Sequence, residues 1–201
     1  MLVAEVQIKR EKGDKLMRTL EDDLAAAVNF HGHLCSGMIL GVRMARFALK
    51  YLGIDDPMHY RDLVVYVEMD RCVADAVSVV TGCTLGKRRL KFVDLGKVAA
   101  TFVDLNQDCA LRVAVSPGCP YPEHGEEIVE FWGSLPDEVI YRWQEVRVDI
   151  PLCDLPGKPR HITNCDSCGE QVLDGREVVK GDRTLCRACS QGTYYLSVPI
   201  A

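Results

Sequence analysis

The sequence lacks the features typical of membrane proteins and nucleic-acid-binding proteins. No apolar run approaches the ~20 residues that span a bilayer. Lysine and arginine number 24 against 29 aspartates and glutamates, and the resulting net charge of −5 gives no general attraction to nucleic acid or to an anionic membrane. Residues 1–15 are mixed and charged and have no apolar signal core, so we expect a cytoplasmic location.

Cysteine is abundant instead, with ten in 201 residues. In a cytoplasmic chain, cysteines serve metal binding or catalysis more often than disulfides. Two Cys-x-x-Cys pairs, Cys165/Cys168 and Cys186/Cys189, are separated by seventeen residues, which is the spacing of paired zinc knuckles. The stretch between them predicts a small hairpin over 171–185. We therefore predict a structural zinc ribbon that depends on its metal to fold.

A second group of soft ligands lies ahead of a helix. His31, His33 and Cys35 fall within five residues, and imidazole and thiolate are ligands for borderline metals. Apolar residues recur at helical spacing over 38–52. The positive end of that helix would favour a thiolate at Cys35. The structural alternative is a histidine and a cysteine that are simply buried near a helix start.

Periodicity and turn residues predict an α+β fold, with helices packed on a mostly antiparallel sheet and a small C-terminal zinc-ribbon module. Besides the helix over 38–52, the predicted helices cover 16–29, 73–81, 123–132 and 136–144. The predicted strands form a meander and cover 62–70, 90–94, 97–105 and 109–115, with 145–152 as a last strand or an extended linker. Prolines at 151, 156 and 159 stiffen the passage to the tail. We expect a core domain over 1–155 and a ribbon over 156–201.

Two further segments carry candidate chemistry. The strand over 62–70 runs into Asp70, Cys72 and Asp75, and strand-to-helix junctions are where α/β proteins place sites. The loop over 82–89 is bracketed by glycines and basic, so it can hold an anion. It is not a Walker A motif, because its glycine spacing differs and Lys87 is not followed by serine or threonine. The alternative for this loop is a tight turn with solvated cations.

Together these motifs resemble the FmdE family, named for the E subunit of molybdenum formylmethanofuran dehydrogenase. The matching residues are Phe30-His31-Gly32-His33-x-Cys35-x-Gly37 with Gly41, Asp70-x-Cys72-x-x-Asp75-Ala76, Thr81-Gly82-Cys83-Thr84-x-Gly86-Lys87, Asp94-x-Gly96-Lys97 and Cys165-x-x-Cys168-Gly169-Glu170. The resemblance covers about residues 20–190. It implies an α+β core with a metal or catalytic cleft, a C-terminal zinc ribbon and a homodimer, while many members have no assigned reaction.

The chain departs from the family pattern at two positions. Members usually have proline where this chain has Ser36, and often have glutamine where it has Ser78. Ser36 can still cap the helix that it precedes. The missing amide at Ser78 would remove a polar contact from the cleft, so the substrate and the activity do not follow from the resemblance.

The residues and the resemblance together predict one cleft in the core. Its metal ligands are His33 and Cys35, followed by Cys72 and Cys83, a set that suits Zn, Ni or Fe. Asp75 would orient an imidazole, and Lys87 would hold a small anionic substrate or lower a thiol pKa. A metal-free alternative uses Cys35 as nucleophile, His33 or His31 as base and Asp75 as orienting group.

Three classes of function fit these features. The first is a metal-dependent enzyme or an accessory protein of one-carbon (formylmethanofuran/molybdenum) metabolism, and the second is a metal-binding adaptor or regulator whose ribbon docks a partner protein. The third is a nucleic-acid-binding regulator, which we do not expect because acidic residues match the ribbon's basic ones and leave no basic stripe. We also expect a homodimer, with buried anchors at Phe131, Trp132 and Trp143.

Overall fold

The computed structural model describes residues 18–124 and 127–198. The chain divides into two compact units, which we call unit 1, up to Val148, and unit 2, from Asp149 onward. The domain bounds that the sequence suggested, 1–155 and 156–201, stay a prediction. Part of the helix predicted over 16–29 lies outside the described residues.

Unit 1 combines helices with one sheet. Its helices are α1 (Leu20–His31), α2 (Ser36–Leu52), α3 (Cys72–Thr81), α4 (Ile128–Ser134) and α5 (Asp137–Ile140). Its strands are β1 (Leu63–Val67), β2 (Leu90–Phe92), β3 (Ala99–Asp104), β4 (Cys109–Val115) and β5 (Tyr141–Val146). The predicted α+β class is confirmed.

The sheet is mostly antiparallel, as predicted, but it is not a meander. Its strand order is β2-β1-β3-β4-β5, and β2 pairs with β1 in parallel. A parallel neighbour needs a crossover connection, which α3 provides between β1 and β2. The start of α3 follows the carboxyl end of β1, and the loop after α3 leads into the amino end of β2.

Local capping fixes the ends of α1 and α2. The Asp22 N–H donates to Thr19 Oγ1 at 3.1 Å, and the Asp22 carboxylate accepts from the Thr19 N–H, so a capping box starts α1. At the other end, Gly32 adopts a left-handed conformation with φ 95° that stops the helix. Cys35, not Ser36, then takes the N-cap position of α2. The predicted cap at Ser36 is therefore wrong, because Ser36 is already the first helical residue.

The helix predicted over 136–144 is wrong in its second half. Helix α5 ends at Ile140, and Tyr141 begins β5 by pairing with Val115 of β4. The Tyr141 side chain is buried and its hydroxyl donates to the Leu40 carbonyl at 2.6 Å. Cross-strand pairing with β4 and burial of this ring outweigh the helical periodicity of the segment. Only the first two residues of the strand or linker predicted over 145–152 belong to β5.

The predicted dimer anchor at Trp132 is also wrong. Trp132 is fully buried inside unit 1, where its ring meets Tyr121 and Phe131 edge-to-face at centroid distances of 5.3 and 5.1 Å. Trp143 packs on Phe47 at 4.8 Å and is partly exposed. Since a side chain enclosed by its own chain cannot anchor a partner, Trp132 gives no support to a homodimer, which stays a prediction.

Unit 2 is built from short elements. They are a 3₁₀ turn (Leu152–Asp154), β6 (Ile162–Asn164), β7 (Gln171–Leu173), β8 (Val178–Lys180), β9 (Arg183–Leu185) and α6 (Arg187–Gln191). Strand β6 pairs with β7, and β8 pairs with β9. The hairpin predicted over 171–185 therefore forms only over 178–185, because residues 171–173 pair with β6 instead. In neither unit do the described residues include a helix with the length and apolar character needed to cross a membrane.

Candidate metal centres

The four cysteines of unit 2 converge on one point. The sulfur atoms of Cys165, Cys168, Cys186 and Cys189 all lie within 4.8 Å of one another. The Cys168 and Cys186 sulfurs are 3.9 Å apart. Four thiolates at about 2.3 Å from a tetrahedral zinc ion stand about 3.8 Å from each other. The donor set and its spacing therefore fit a closed structural zinc site.

Backbone groups shape each knuckle. In the first, Gly169 takes φ 76°, and its N–H donates to the Cys165 carbonyl at 2.9 Å. In the second, the Cys186 sulfur accepts from the Cys189 N–H at the start of α6. Hydrogen bonds from the backbone at Cys168 and Cys186 lower the pKa of Cys165 to about 6. The shift at Cys165 favours the thiolate form that zinc binds, whereas neighbouring thiols raise the pKa of Cys189 in the same cluster.

A second cluster lies in unit 1, where α1 ends and α2 begins. His31 is the last residue of α1, and the turn at Gly32 brings His33 and Cys35 back towards it. One ligand atom from each of His31, His33 and Cys35 lies within 4.8 Å of the others. The two imidazole rings are 4.6 Å apart. We call this group the HHC cluster.

Asp75 orients His31 in the HHC cluster. The Asp75 Oδ2 atom lies 2.8 Å from His31 Nδ1, so Nδ1 carries the proton and donates it to the carboxylate. The other nitrogen, Nε2, is buried and has no hydrogen-bond partner among the described residues. A buried, unsatisfied nitrogen is costly unless it binds something. Its lone pair is free to coordinate, so this histidine fits a metal ligand.

Cys72 joins Cys35 from the first turn of α3. Burial, and after it the neighbouring Cys35 thiol, raises the pKa of Cys72. The close contact between α2 and α3 depends on two glycines of α2. A Cβ on Gly37 would lie 2.9 Å from the Cys72 Cβ, and a Cβ on Gly41 would lie 2.6 Å from the Ala76 Cβ. The starts of α2 and α3 therefore meet at the sulfur pair.

Two predicted site residues are not brought to this cluster. Cys83 follows the far end of α3, is fully buried and lies 3.5 Å from the Leu63 carbonyl, and burial raises its pKa. The Lys87 ammonium donates to the Gly82 carbonyl at 3.4 Å. The structure therefore does not group Cys83 with the HHC cluster, and its assignment as a ligand stays a prediction. The role of Lys87 also stays a prediction; its loop contributes Thr84, Leu85 and Gly86 to the cleft described next.

A cleft of about 700 Å³ opens beside the HHC cluster. Its polar wall includes His31, Asp70, Cys72 and Asp75. Its apolar wall includes three large residues that are exposed, Phe30, Leu85 and Phe92. These three residues were not among the predicted site residues. Leu85 gave the clearest signal, because a large apolar residue in a basic, glycine-bracketed loop has no obvious packing role.

An α+β domain with a His/Cys cluster, joined to a four-cysteine zinc finger, defines a metal-binding protein of two parts. The chain belongs to the FmdE family. The family model described as "FmdE, Molybdenum formylmethanofuran dehydrogenase operon" matches residues 30–140. A second model, the prokaryotic dksA/traR C4-type zinc finger, matches residues 158–195 and confirms the predicted zinc ribbon.

Two similar proteins extend this comparison. A protein of Archaeoglobus fulgidus named "Probable S-adenosyl-L-methionine-binding protein" is 41% identical over 202 residues, which cover 87% of this chain and 54% of that protein. The chain thus spans about half the length of this relative. A crystal structure of a tungsten formylmethanofuran dehydrogenase FmdE-like protein from Syntrophus aciditrophicus has a TM-score of 0.59 at 24% identity, covering 91% of this chain and 98% of that one. The second likeness shows the fold alone.

Proposed function

We propose that unit 1 is a metal-dependent domain in which the HHC cluster holds one Zn, Ni or Fe ion and the adjacent cleft receives the substrate. On this proposal the protein is a metal-dependent enzyme or an accessory protein of the one-carbon metabolism for which its family is named. The observation that carries the proposal is the state of His31. Asp75 accepts the hydrogen bond from Nδ1, while the buried Nε2 has no hydrogen-bond partner in the described residues, and one ring nitrogen of His31 lies within 4.8 Å of ligand atoms of His33 and Cys35.

Three protein ligands leave one position for water or substrate, as in catalytic zinc sites. A bound ion would supply Lewis-acid chemistry at that position. The chain's own groups prepare the site for it. Asp75 fixes the His31 tautomer, and the starts of α2 and α3, which meet at Cys35 and Cys72, favour negative charge on sulfur or on a small anionic substrate.

Metal content tests this proposal directly. We expect two metal ions per chain in the wild type, one in unit 2 and one in the HHC cluster. Cys35→Ser is expected to lose the second ion and keep the first, since serine replaces a thiolate with a poor ligand. Inductively coupled plasma mass spectrometry of purified protein gives the count, and circular dichroism checks the fold. The matched control is Cys119→Ser, a half-buried thiol outside both clusters that should keep both ions.

A count of one ion per chain that Cys35→Ser does not change would contradict the core metal. The same side chains then support the metal-free chemistry, with Cys35 as the nucleophile and His33 or His31 as the base. In that case iodoacetamide should label Cys35 in the fully metal-loaded wild type as readily as in chelator-treated protein.

A second candidate function is binding of S-adenosylmethionine in the cleft. The observation that favours it is the 41% identity to the A. fulgidus relative, taken with the composition of the cleft. Asp70 and Asp75 can attract the ligand's sulfonium charge, and Phe30 and Phe92 offer rings to its cation and its adenine. A volume of about 700 Å³ is within the usual range of small-molecule sites.

Isothermal titration calorimetry tests whether the cleft binds S-adenosylmethionine. We expect S-adenosylmethionine to bind about tenfold more tightly than S-adenosylhomocysteine, because the latter lacks the positive charge that the carboxylates would attract. Phe92→Ala should weaken the binding of both ligands. Tyr51 is not among the residues that line the cleft, so Tyr51→Ala should leave both affinities unchanged. Absence of binding to the wild type at millimolar ligand would contradict an S-adenosylmethionine site in this cleft.

A further inference from the structure

The geometry points to Cys35 and Cys72 as a redox-active dithiol that closes to an intramolecular disulfide when a small-molecule disulfide is the oxidant. The formation of this bond needs only the two thiols and the oxidant. Its effect on metal binding rests additionally on the proposed function, because Cys35 also belongs to the HHC cluster.

The two sulfurs face each other across Gly37. The position that a Cβ of Gly37 would occupy lies 3.7 Å from the Cys35 sulfur and 3.6 Å from the Cys72 sulfur. The absence of a side chain at Gly37 is therefore what lets the thiols meet. A disulfide requires the sulfurs to close to about 2.05 Å, and rotation of the two side chains is the movement that would bring two thiols beside the same glycine together.

Neither sulfur is committed to holding the fold. Cys35 occupies the N-cap position of α2, yet its side chain makes no capping hydrogen bond. Cys72 is the first residue of α3 and lines the cleft, so a small oxidant has a path to it. Cys83, by contrast, is fully enclosed. Disulfides in reducing compartments are mostly transient and catalytic or redox-sensing, and a half-buried pair beside a cleft suits that use.

The reaction balances through two thiol–disulfide exchanges. One protein thiolate attacks the small-molecule disulfide RSSR, which forms a mixed disulfide and releases RS⁻. The second protein thiolate then attacks the protein sulfur of that mixed disulfide, which forms the Cys35–Cys72 bond and releases the other RS⁻. Two electrons pass from the protein sulfurs to RSSR, and the two thiol protons end on the two RSH products.

Closing this bond removes a ligand from the HHC cluster. A metal needs Cys35 as a thiolate, and a sulfur in a disulfide is no longer available in that form. The bound metal and the disulfide therefore exclude each other at Cys35. Oxidation is expected to release the ion of unit 1, and a bound ion is expected to slow oxidation.

The test uses the 201-residue chain with its zinc finger loaded and any ion of unit 1 removed by a chelator, oxidised glutathione as the oxidant, and alkylation of the remaining thiols before digestion. Non-reducing peptide mapping should recover one linked peptide that contains Cys35 and Cys72. Cys72→Ser should lose this peptide completely and retain glutathione on Cys35. Cys109→Ser, which removes an exposed thiol at the start of β4, should keep the linked peptide.

Recovery of Cys35 and Cys72 as separately alkylated peptides, in wild-type chains whose Cys109 has accepted glutathione, would overturn the dithiol. Metal counting distinguishes this failure from failure of the proposed function. Two ions per reduced chain without any cross-link would leave the core metal intact and refute the dithiol. One ion per reduced chain with a cross-link would refute the core metal and leave the dithiol.

Discussion

Replacing Cys165 with serine is expected to unfold unit 2 and to leave unit 1 folded. The apolar core of unit 2 consists of Cys165, Val172 and Leu185, with Cys186 packed against it, so half of these residues are zinc ligands. So small a core cannot offset the conformational entropy of an ordered chain. Structural zinc contributes roughly 10–16 kcal/mol of apparent binding free energy in isolated zinc-finger peptides, and this is folding free energy.

Limited proteolysis with mass spectrometry measures this result. Cleavage of Cys165→Ser should concentrate within unit 2 and leave a resistant fragment that ends near Val148, with the loss of one zinc ion per chain. Cys153→Ser is the matched control, because Cys153 lies in the same unit but outside the four-cysteine cluster. A Cys165→Ser protein whose unit 2 stays protease-resistant without zinc would show that the metal is not what holds this unit together.

The zinc finger was predictable because its ligands come in two local pairs whose spacing alone defines the site. The HHC cluster was half predictable for the same reason, since His31, His33 and Cys35 are close in sequence. Its remaining parts depend on tertiary packing. Asp75 and Cys72 reach it because they share the first turn of α3. Cys83 does not, because ten helical residues extend about 15 Å along that helix.

Strand positions were easier to predict than strand pairing. Residues rich in β-branched side chains marked β1, β3 and β4, but nothing local showed that β2 would pair with β1 in parallel. Likewise, residues 141–144 were predicted as the end of a helix, but they pair with β4. The first difference bears on function, because β2 forms one wall of the cleft through Leu90 and Phe92.

Gly41→Ala is expected to destabilise unit 1 by about 3 kcal/mol and to weaken its metal site. An alanine Cβ here would lie 2.6 Å from the Ala76 Cβ and 2.8 Å from the Val73 carbonyl oxygen. Two packed helices cannot absorb such contacts by rotating a side chain, so α2 and α3 must separate. The separation would carry Asp75 away from His31, and losing such a supporting hydrogen bond costs about 10–100-fold in metal affinity.

Gly133→Ala is the matched control for Gly41→Ala. Gly133 also lies in a helix, but no atom lies within 4 Å of the position that an alanine Cβ would take. Alanine there should be neutral or should stabilise the protein by about 0.5–1 kcal/mol, since it restricts the unfolded chain. Urea denaturation gives both stabilities, and competition with a chelator gives both metal affinities. If the two alanine variants were equally stable and bound the core metal equally, the close crossing of α2 and α3 would not be what assembles the site.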